Sequence, residues 1–440
     1  MTYTSLSKPR LAAPGATALC SMLLAAGVAY ADELDDFIVS NMTEGHIPGL
    51  SACVVEKTEV MFSKAYGKAT FSPPIPATTD TLFTIGSISK TVTGTALMQL
   101  WEDGAFNLDD PVNDYLPFEV SHPVYADIPI TFRMTLSHVS SIHDNDDVVN
   151  ELLTLGGDSP IALGQFLEDY LTPGGEYYDP TGSYSDYKPG TNWEYSNIAF
   201  ALNGYLVEVL AGMPFDQYCQ QHIFDVLGMD ETKWFLKDLD LDHLATGYYW
   251  QGGSYAVIPH HGHPMYPAGW LRTSSPQLAH FLIAHINGGQ WQGATILDAE
   301  TVELMQTPQY PDIAPWQGMP FLYGQLSSGD IIIGHSGQIA GGTALMYWRP
   351  EDGRGVITLT NGTLVEETEL LCLAAILERL FEPLLLCPAD ITGDGLVDVL
   401  DLLKVLAGWG QSGVPADVNA DGIVDVLDLL EILAAWGPCP

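Results

Sequence analysis

The chain has 440 residues, with 55 Asp and Glu against 15 Lys and Arg and a formal net charge of -40. Hydrophobic residues make up 47% of it, which supplies a large core and excludes a disordered chain. So acidic a surface repels phosphate and argues against nucleic acid or anionic membrane as partners. The excess acid indicates a saline medium, a cation-binding role, or both.

The N-terminal residues have the pattern of an export signal. Lys8 and Arg10 precede an apolar stretch from Leu11 to Val28, and Ala29-Tyr30-Ala31 fits an A-x-A cleavage site. This predicts a signal peptide over residues 1–31 and a secreted, periplasmic or cell-surface bacterial protein. A membrane anchor is the alternative, because the apolar run is at the short limit for a span.

Residues 32–384 mix helical and strand patterns. Helices are predicted at the two ends of this region, over 34–43 and 366–381, and the middle, about 87–290, is rich in helices and loops. Strands are predicted over 50–56, 59–66, 330–334, 343–349 and 354–360. The fold class is therefore α+β, with an antiparallel sheet flanked by helices and a mostly helical subdomain.

The first candidate for catalysis is Ser87-Ile-Ser-Lys90. An amphipathic pattern follows it and ends at Gly104, so Ser87 lies at a helix N-terminus with Lys90 one turn further on the same face. A desolvated lysine can lose its proton and then activate a serine, and a helix N-terminus favours developing negative charge. The alternative is an N-cap serine beside a solvated lysine.

Tyr195-Ser-Asn197 is the second candidate, and it lies between the turn residues Lys188-Pro-Gly and a predicted helix over 200–210. A tyrosine beside an ammonium group can carry a proton, and an asparagine can hold a substrate amide or the lysine. A buried capping cluster is the alternative interpretation.

The third candidate, His335-Ser-Gly337, is predicted as a turn between the strands at 330–334 and 343–349. Gly337 would let a substrate approach the backbone closely. The amide of Gln338 would pair with that of Ser87 as an oxyanion hole. A purely structural histidine is the alternative.

Taken together, the three motifs resemble those of the serine β-lactamase and penicillin-binding superfamily, within it the class C β-lactamase, DD-carboxypeptidase and esterase branch. The resemblance covers nearly all of residues 34–381. Further matching stretches are Phe83 to Gly94, Leu108-Asp-Asp-Pro-Val, Thr135 to Ser141, Leu227-Gly-Met, Pro267-Ala-Gly and Gly334-His-Ser-Gly.

This resemblance implies a role for each motif residue. Ser87 is acylated, Lys90 and Tyr195 share proton transfer with the identity of the base left open, and Asn197 positions substrate and lysine. The amides of Ser87 and Gln338 hold the oxyanion, and His335 stands where class C β-lactamases carry lysine.

Two departures from the family pattern concern the substrate. An unperturbed histidine has a pKa of ~6.5, so His335 weakens a positive carboxylate-binding site and argues against a dedicated β-lactamase. Trp270 replaces a usual glycine after Pro267-Ala-Gly and narrows the cleft.

Two further features stay open: a transition-metal site at His260-His261-Gly-His263, and a cleft wall or surface loop built from the tyrosines at 177, 178, 184 and 187.

The C-terminal residues contain a repeat with an offset of 27 residues, beginning at Asp390 and again at Asp417. Each copy fits an EF-hand loop, in which oxygen ligands occupy positions 1, 3, 5, 7, 9 and 12. The first set is Asp390, Thr392, Asp394, the Leu396 carbonyl, Asp398 and Asp401. The second is Asp417, Asn419, Asp421, the Ile423 carbonyl, Asp425 and Asp428.

Aspartate at position 12 and a single helix after each loop make the pair resemble dockerin repeats. The resemblance implies a small all-α, EF-hand-like module over 385–440, two Ca²⁺ ions on which its folding depends, and a cohesin-like protein partner. A solvated acidic helix cap and a calcium-stabilised attachment tail are the alternatives.

Five cysteines remain after the predicted signal, and export permits disulfides. Cys387 and Cys439 bracket the repeats, which suggests one bridge, and Cys53 with Cys372 is a second option. The spacing leaves the connectivity open.

We therefore predict a secreted serine hydrolase that works through an acyl-enzyme on a small ester, peptide or β-lactam, without a catalytic cofactor. Esterase, carboxypeptidase, aminopeptidase and β-lactamase activities all stay open. The alternative is a penicillin-binding-like domain that acylates slowly or not at all and serves attachment through the dockerin-like repeats. Calcium does not explain the acidity, because residues 32–389 hold 46 acids against 12 bases; we expect a domain adapted to salt.

Overall fold

The computed structural model describes residues 34–382, 389–392, 396–412, 414–419 and 421–438. The described residues divide into two compact units: Asn41–Glu382, and a second that contains the described residues on either side of that range. The predicted signal peptide, the proposed ligand Asp394 and the cysteines Cys387 and Cys439 lie outside the described residues.

The larger unit is built on a seven-stranded antiparallel sheet, which confirms the predicted mixture of sheet and helices. In spatial order the strands are Leu322–Gln325, Ile331–Ile339, Gly342–Arg349, Arg354–Thr360, Gly49–Glu56, Glu59–Phe71 and Pro74–Pro76. Strands from the two ends of the unit meet at its centre, with Leu50 opposite Thr360 and Glu56 opposite Arg354. Gly49–Glu56 is buried almost throughout, as its continuous apolar sequence requires.

Helices pack on this sheet and form the middle of the chain. Ser275–Ile286 packs on it through a 2.7 Å hydrogen bond between the hydroxyls of Ser51 and Ser275, and the Arg354 guanidinium donates to the Leu380 carbonyl of Glu367–Phe381. A helix over residues 34–44 contributes its last four residues to this unit. The other helices of the unit are Ser89–Glu102, Phe132–Leu136, Asp146–Glu151, Leu163–Leu171, Asn197–Ala211, Phe215–Cys219, Asp225–Leu227 and Ala299–Gln306, with a π-helical turn at Gln220–Phe224.

Short strands and turns complete the unit. The strand pairs are Phe83–Thr84 with Arg272–Thr273, Thr154–Leu155 with His261–Gly262, Gly247–Gln251 with Ser254–Ile258, and Gln290–Trp291 with Ala294–Thr295. Short 3₁₀ turns lie at Gly86–Ile88, Val112–Asp114, Leu236–Asp238 and Tyr266–Ala268. Across the described ranges no single helix combines the length and apolar character needed to cross a bilayer, and only the bent pair Asn197–Ala211 and Phe215–Leu227 reaches them jointly.

Two expectations for this unit are wrong. His335-Ser-Gly337 is not a turn but part of the strand Ile331–Ile339, because its backbone pairs with Gly342–Arg349. Cys53 and Cys372 are free, buried thiols rather than a disulfide. Cys53 belongs to the main apolar core. Cys372 lies on the helix Glu367–Phe381 and packs close to Gly45, since a Cβ added to Gly45 would lie 2.7 Å from the Cβ of Cys372.

The C-terminal residues form a separate small core around two helices, Val399–Ala407 and Val426–Ala434. Both begin with a capping box, made by Asp398 with Asp401 and by Asp425 with Asp428. The module is not all-α as predicted, because the apolar pair Leu396–Val397 finds a strand partner in Gly437–Pro438. Among the residues that the structure describes, no three His, Cys, Asp or Glu side chains gather as a metal group, so the two calcium sites stay a prediction.

Candidate active site

Two glycines bring the turn Gly86–Ile88 against the strand Ile331–Ile339, which we call the site strand. Gly86 has a φ of +54°, and a Cβ there would lie 2.7 Å from the Gln338 nitrogen. A Cβ on Gly337 would lie 1.9 Å from the Ile85 carbonyl oxygen and 3.1 Å from the Ser87 nitrogen. The backbone amides of Ser87 and Gln338 therefore lie in the same small region, as an oxyanion hole requires.

Lys90 is fully buried and its amino group lies next to the candidate nucleophile. The Nζ atom is 3.1 Å from Ser87 Oγ, 2.6 Å from Asn197 Oδ1 and 2.6 Å from the Ala268 carbonyl oxygen. Burial lowers the pKa of Lys90 to about 7, and the negative charge of Asp144 opposes part of that fall. A large share of neutral amine is therefore present at neutral pH.

The contacts of Lys90 fix the direction of its lone pair. The amide oxygen of Asn197 and the carbonyl of Ala268 can only accept hydrogen bonds, so they take both N–H bonds of a neutral amine. The remaining lone pair then faces the Ser87 hydroxyl, which can donate its proton. This is the geometry of a general base.

Tyr195 covers this pair from one side. Its ring centre is 4.8 Å from Lys90 Nζ, and the ring of His138 stacks on it with centroids 4.4 Å apart. Burial raises the pKa of Tyr195, and the nearby Ser87 side chain only partly counters that rise. The hydroxyl makes no hydrogen bond of ordinary geometry within the described part of the chain. At neutral pH Tyr195 is thus a phenol that can donate a proton, not a phenolate.

Asp144 is the residue that sequence reasoning missed. Its carboxylate accepts from the Asn197 backbone N–H and Nδ2, both at 2.8 Å, from the Ile198 N–H at 3.0 Å and from the Ser196 hydroxyl at 3.1 Å. It thereby satisfies the start of the helix Asn197–Ala211 and fixes the Asn197 amide so that its oxygen points to Lys90. No local pattern indicates this contact, because 53 residues separate Asp144 from Asn197.

His335 occupies the site strand as an uncharged side chain. Its Nδ1–H donates to the Ser336 carbonyl at 2.5 Å, and burial together with the nearby Lys90 lowers its pKa to about 4. The imidazole is therefore neutral well below neutral pH. His335 therefore carries even less positive charge at neutral pH than an unperturbed histidine, whose pKa is ~6.5, would carry.

The residues above open onto a cavity of about 520 Å³. It is lined by Ser87, Tyr195, Asn197, Met265, Ala268, Gly269, Trp270, Leu322, His335, Ser336, Gln338 and Ile339. The strand Leu322–Gln325 pairs with the site strand only as far as Gly334, so residues 335–339 have a strand neighbour on one side alone. The structure thus brings six of the seven predicted catalytic residues to or beside one cleft edge, with Gly337 shaping the backbone behind it.

Neither the histidines at 260, 261 and 263 nor the tyrosines at 177, 178, 184 and 187 line this cavity. None of the four tyrosines lines it; Tyr184 is buried, and Tyr187 donates to Glu194. His261 and His263 each have both ring nitrogens in hydrogen bonds, which leaves none for a metal.

This fold and this arrangement of side chains define the serine hydrolases with a β-lactamase-like fold. The family model described as Beta-lactamase matches residues 34–380, so the chain belongs to the Beta-lactamase family.

Among curated proteins, Protein flp of Staphylococcus aureus strain MW2 is 24% identical over 334 residues, or 75% of this chain and 62% of that protein. This chain therefore spans less than two thirds of that relative. Among solved structures, an octameric penicillin-binding protein homologue from Pyrococcus abyssi superimposes with a TM-score of 0.62 and 25% identity, covering 79% of this chain and 77% of that one. D-amino acid amidase from Ochrobactrum anthropi SV3 superimposes with a TM-score of 0.63 and 23% identity, covering 80% of this chain and 98% of that one. This second similarity shows the fold alone.

Proposed function

We propose that the protein is a secreted serine hydrolase that forms an acyl-enzyme at Ser87 and acts on an uncharged ester or amide. The observation that carries this proposal is the buried Lys90 amine, 3.1 Å from Ser87 Oγ, with its two N–H bonds taken by obligate acceptors. A neutral amine in this position can take the proton of the serine hydroxyl and so activate it, whereas a serine that only caps a helix needs no such base.

The steps follow from these contacts. Ser87 Oγ attacks the substrate carbonyl carbon while its proton passes to the Lys90 lone pair, and the oxyanion accepts hydrogen bonds from the amides of Ser87 and Gln338. The bond to the leaving group then breaks, and the leaving group takes the proton through the hydroxyl of Tyr195, a cavity-lining residue whose ring centre lies 4.8 Å from Lys90 Nζ. A water molecule then gives a proton to Lys90 and attacks the acyl carbon, the bond between that carbon and Ser87 Oγ breaks, and the proton returns to Ser87 as the acid leaves. In this scheme Lys90 is the base, because the raised pKa of Tyr195 keeps it protonated.

The walls of the cleft favour an uncharged substrate. His335 is neutral, and no lysine or arginine is among the cavity-lining residues that the structure describes. A substrate carboxylate would lose its solvation there without gaining a cationic partner. We therefore favour esters and amides over β-lactams and peptides with a free C-terminal carboxylate next to the reacting bond.

A test combines labelling with a substrate panel. Wild-type protein should form a covalent adduct with a fluorophosphonate, and peptide mass analysis should place that adduct on Ser87. Ser87→Ala should lose both the adduct and turnover of short acyl esters. Ser89→Ala, which alters a buried neighbour that does not line the cavity, should keep the adduct. Absence of an adduct in folded wild-type protein would favour the non-catalytic alternative instead. Turnover of a cephalosporin in preference to esters would contradict the substrate assignment.

We also propose that the C-terminal repeats bind two Ca²⁺ ions and attach the hydrolase to a cohesin-like partner. The carboxylates of Asp401 and Asp428 are fully buried. That of Asp401 accepts hydrogen bonds from the backbone N–H groups of Thr392 and Asp398. That of Asp428 accepts them from the backbone N–H groups of Val418, Asn419 and Asp425. In each repeat, described backbone of the proposed loop therefore contacts the acidic side chain at position 12. The outward faces of both helices repeat the same half-exposed apolar residues, Val399, Leu403 and Leu406 and then Val426, Leu430 and Leu433.

Calorimetric titration of chelator-treated protein with Ca²⁺ should show two sites. Asp401→Ala and Asp428→Ala should each remove one, and Ser87→Ala should keep both. Binding of a purified cohesin domain should require Ca²⁺. No binding heat would contradict the calcium proposal, and loss of esterase activity on chelation, as complete as in Ser87→Ala, would contradict two independent modules.

A further inference from the structure

Trp270 forms a fixed wall of the cavity. Only 6% of it is exposed, and its indole ring stacks on His263 with centroids 4.8 Å apart and an interplanar angle of 23°. The indole Nε1–H donates to His261 Nδ1 at 3.0 Å. A tryptophan held on its face and at its nitrogen cannot swing aside to admit a wider substrate.

His261 is itself held in one tautomer. Its Nε2 lies 2.9 Å from the Ala340 carbonyl oxygen, which can only accept, so the proton is on Nε2 and the lone pair on Nδ1 faces the indole. Its backbone carbonyl accepts a 2.5 Å hydrogen bond from the buried guanidinium of Arg272. Three contacts therefore fix His261, one of them with the turn that follows the site strand two residues after Gln338.

We propose that the His261–Trp270 hydrogen bond sets the width of the cleft and restricts the enzyme to substrates with a slim, apolar group beside the reacting carbonyl. Trp270 is the specificity-determining residue, and His261 is a positioning residue that acts through it. The lining also includes the apolar side chains of Met265, Leu322 and Ile339, which favour a group that is apolar as well as narrow. This inference rests on the proposed function, since it concerns the substrate of the same site.

The test compares slim with bulky esters within each variant. One series varies the acyl group of p-nitrophenyl esters, from acetate and butyrate to 2,2-dimethylpropanoate and benzoate. A second series keeps the acetyl group and varies the alcohol in the same way. The readout is the ratio of kcat/KM for the bulky and the slim member. Trp270→Gly should raise this ratio at least about 10-fold in one series, since pocket contacts of this size discriminate by such factors.

Two conservative variants isolate the hydrogen bond. His261→Phe keeps an aromatic ring without either hydrogen bond, and Trp270→Phe keeps a ring that has no N–H to donate. Each should raise the ratio at least about threefold, and the double variant should raise it no more than the larger single effect, because both remove one interaction. Ratios unchanged in both series for His261→Phe and Trp270→Phe, or effects that multiply in the double variant, would overturn the proposal.

A matched control is Trp291→Phe, since Trp291 also stacks on a histidine, His280, but does not line the cavity. It should leave the ratio unchanged. Fluorophosphonate labelling of wild-type Ser87 separates the two proposals. Without a label the proposed function fails, whereas labelling and acetate turnover with unmoved ratios leave that function standing and reject the role of His261.

Discussion

Asp144→Asn tests how the site holds Asn197 and Lys90 together. The substitution keeps the shape of the side chain but removes its charge and one of its two acceptor oxygens. It also points an NH₂ group at N–H donors of Asn197 and Ile198. About two of the four hydrogen bonds are lost, at about 1–2 kcal/mol each, so the free energy of unfolding should fall by about 2–4 kcal/mol.

The same change should alter catalysis in two separable ways. Because the Asp144 charge raises the pKa of Lys90, its removal should move that pKa below about 7 and shift the acid limb of the pH–rate profile to lower pH. Because Asn197 is no longer held, the plateau of kcat/KM should drop by about 10–100-fold. Urea unfolding measures the first effect on stability, and kcat/KM for a neutral ester from pH 5 to 9 measures the other two.

Asp147→Asn is the control, since it makes the same charge change at an exposed carboxylate in the first turn of Asp146–Glu151. It should leave stability and profile close to those of the wild type. If the acid limb of folded Asp144→Asn stays in place or moves to higher pH, the Asp144 charge does not raise the pKa of Lys90. If the plateau is unchanged, Asp144 does not position Asn197 for catalysis.

Three other results are expected. In the wild type, kcat/KM for a neutral ester should fall as the pH drops below about 7, because protonation of Lys90 removes its lone pair, and a flat profile from pH 5 to 9 would contradict this. Gly337→Ala should reduce fluorophosphonate labelling at least about 100-fold with the circular dichroism spectrum retained, since its Cβ would meet the Ile85 carbonyl at 1.9 Å; normal labelling would refute the close approach. Thermal stability should rise from 10 mM to 500 mM NaCl, because salt screens the repulsion among excess acids, and equal melting temperatures would count against adaptation to salt.

The parts of the site that follow local spacing are those that the sequence predicts well. Ser87 and Lys90 are one helical turn apart, so their contact needs no knowledge of the remaining chain. Tyr195 and Asn197 stand at a helix start that Ser196 marks as a cap, and its hydroxyl accepts from the Ala199 N–H. The sheet also follows from the strand patterns at the two ends of the unit.

What the sequence does not predict depends on distant partners. Serine and glycine disfavour a strand, and His335-Ser-Gly337 is extended only because Gly342–Arg349 pairs with it. The contact of Asp144 with Asn197 and that of His261 with Trp270 join segments that no periodicity relates. The low pKa of Lys90 has the same origin, since it is caused by burial, and the chain around the amine includes Ala268, which lies 178 residues further along the sequence.

The burial of Lys90 also has a thermodynamic consequence for the whole domain. In the unfolded chain this amine binds its proton with a pKa near 10.5, but in the folded protein with one of about 7. Between those values unfolding takes up a proton, so the free energy of unfolding should increase with pH across that window. At pH 7 the difference amounts to about 4 kcal/mol against the native state, a large part of the stability of an ordinary domain. Selection for heat resistance alone would therefore favour an apolar residue at this position and an enzyme without its base.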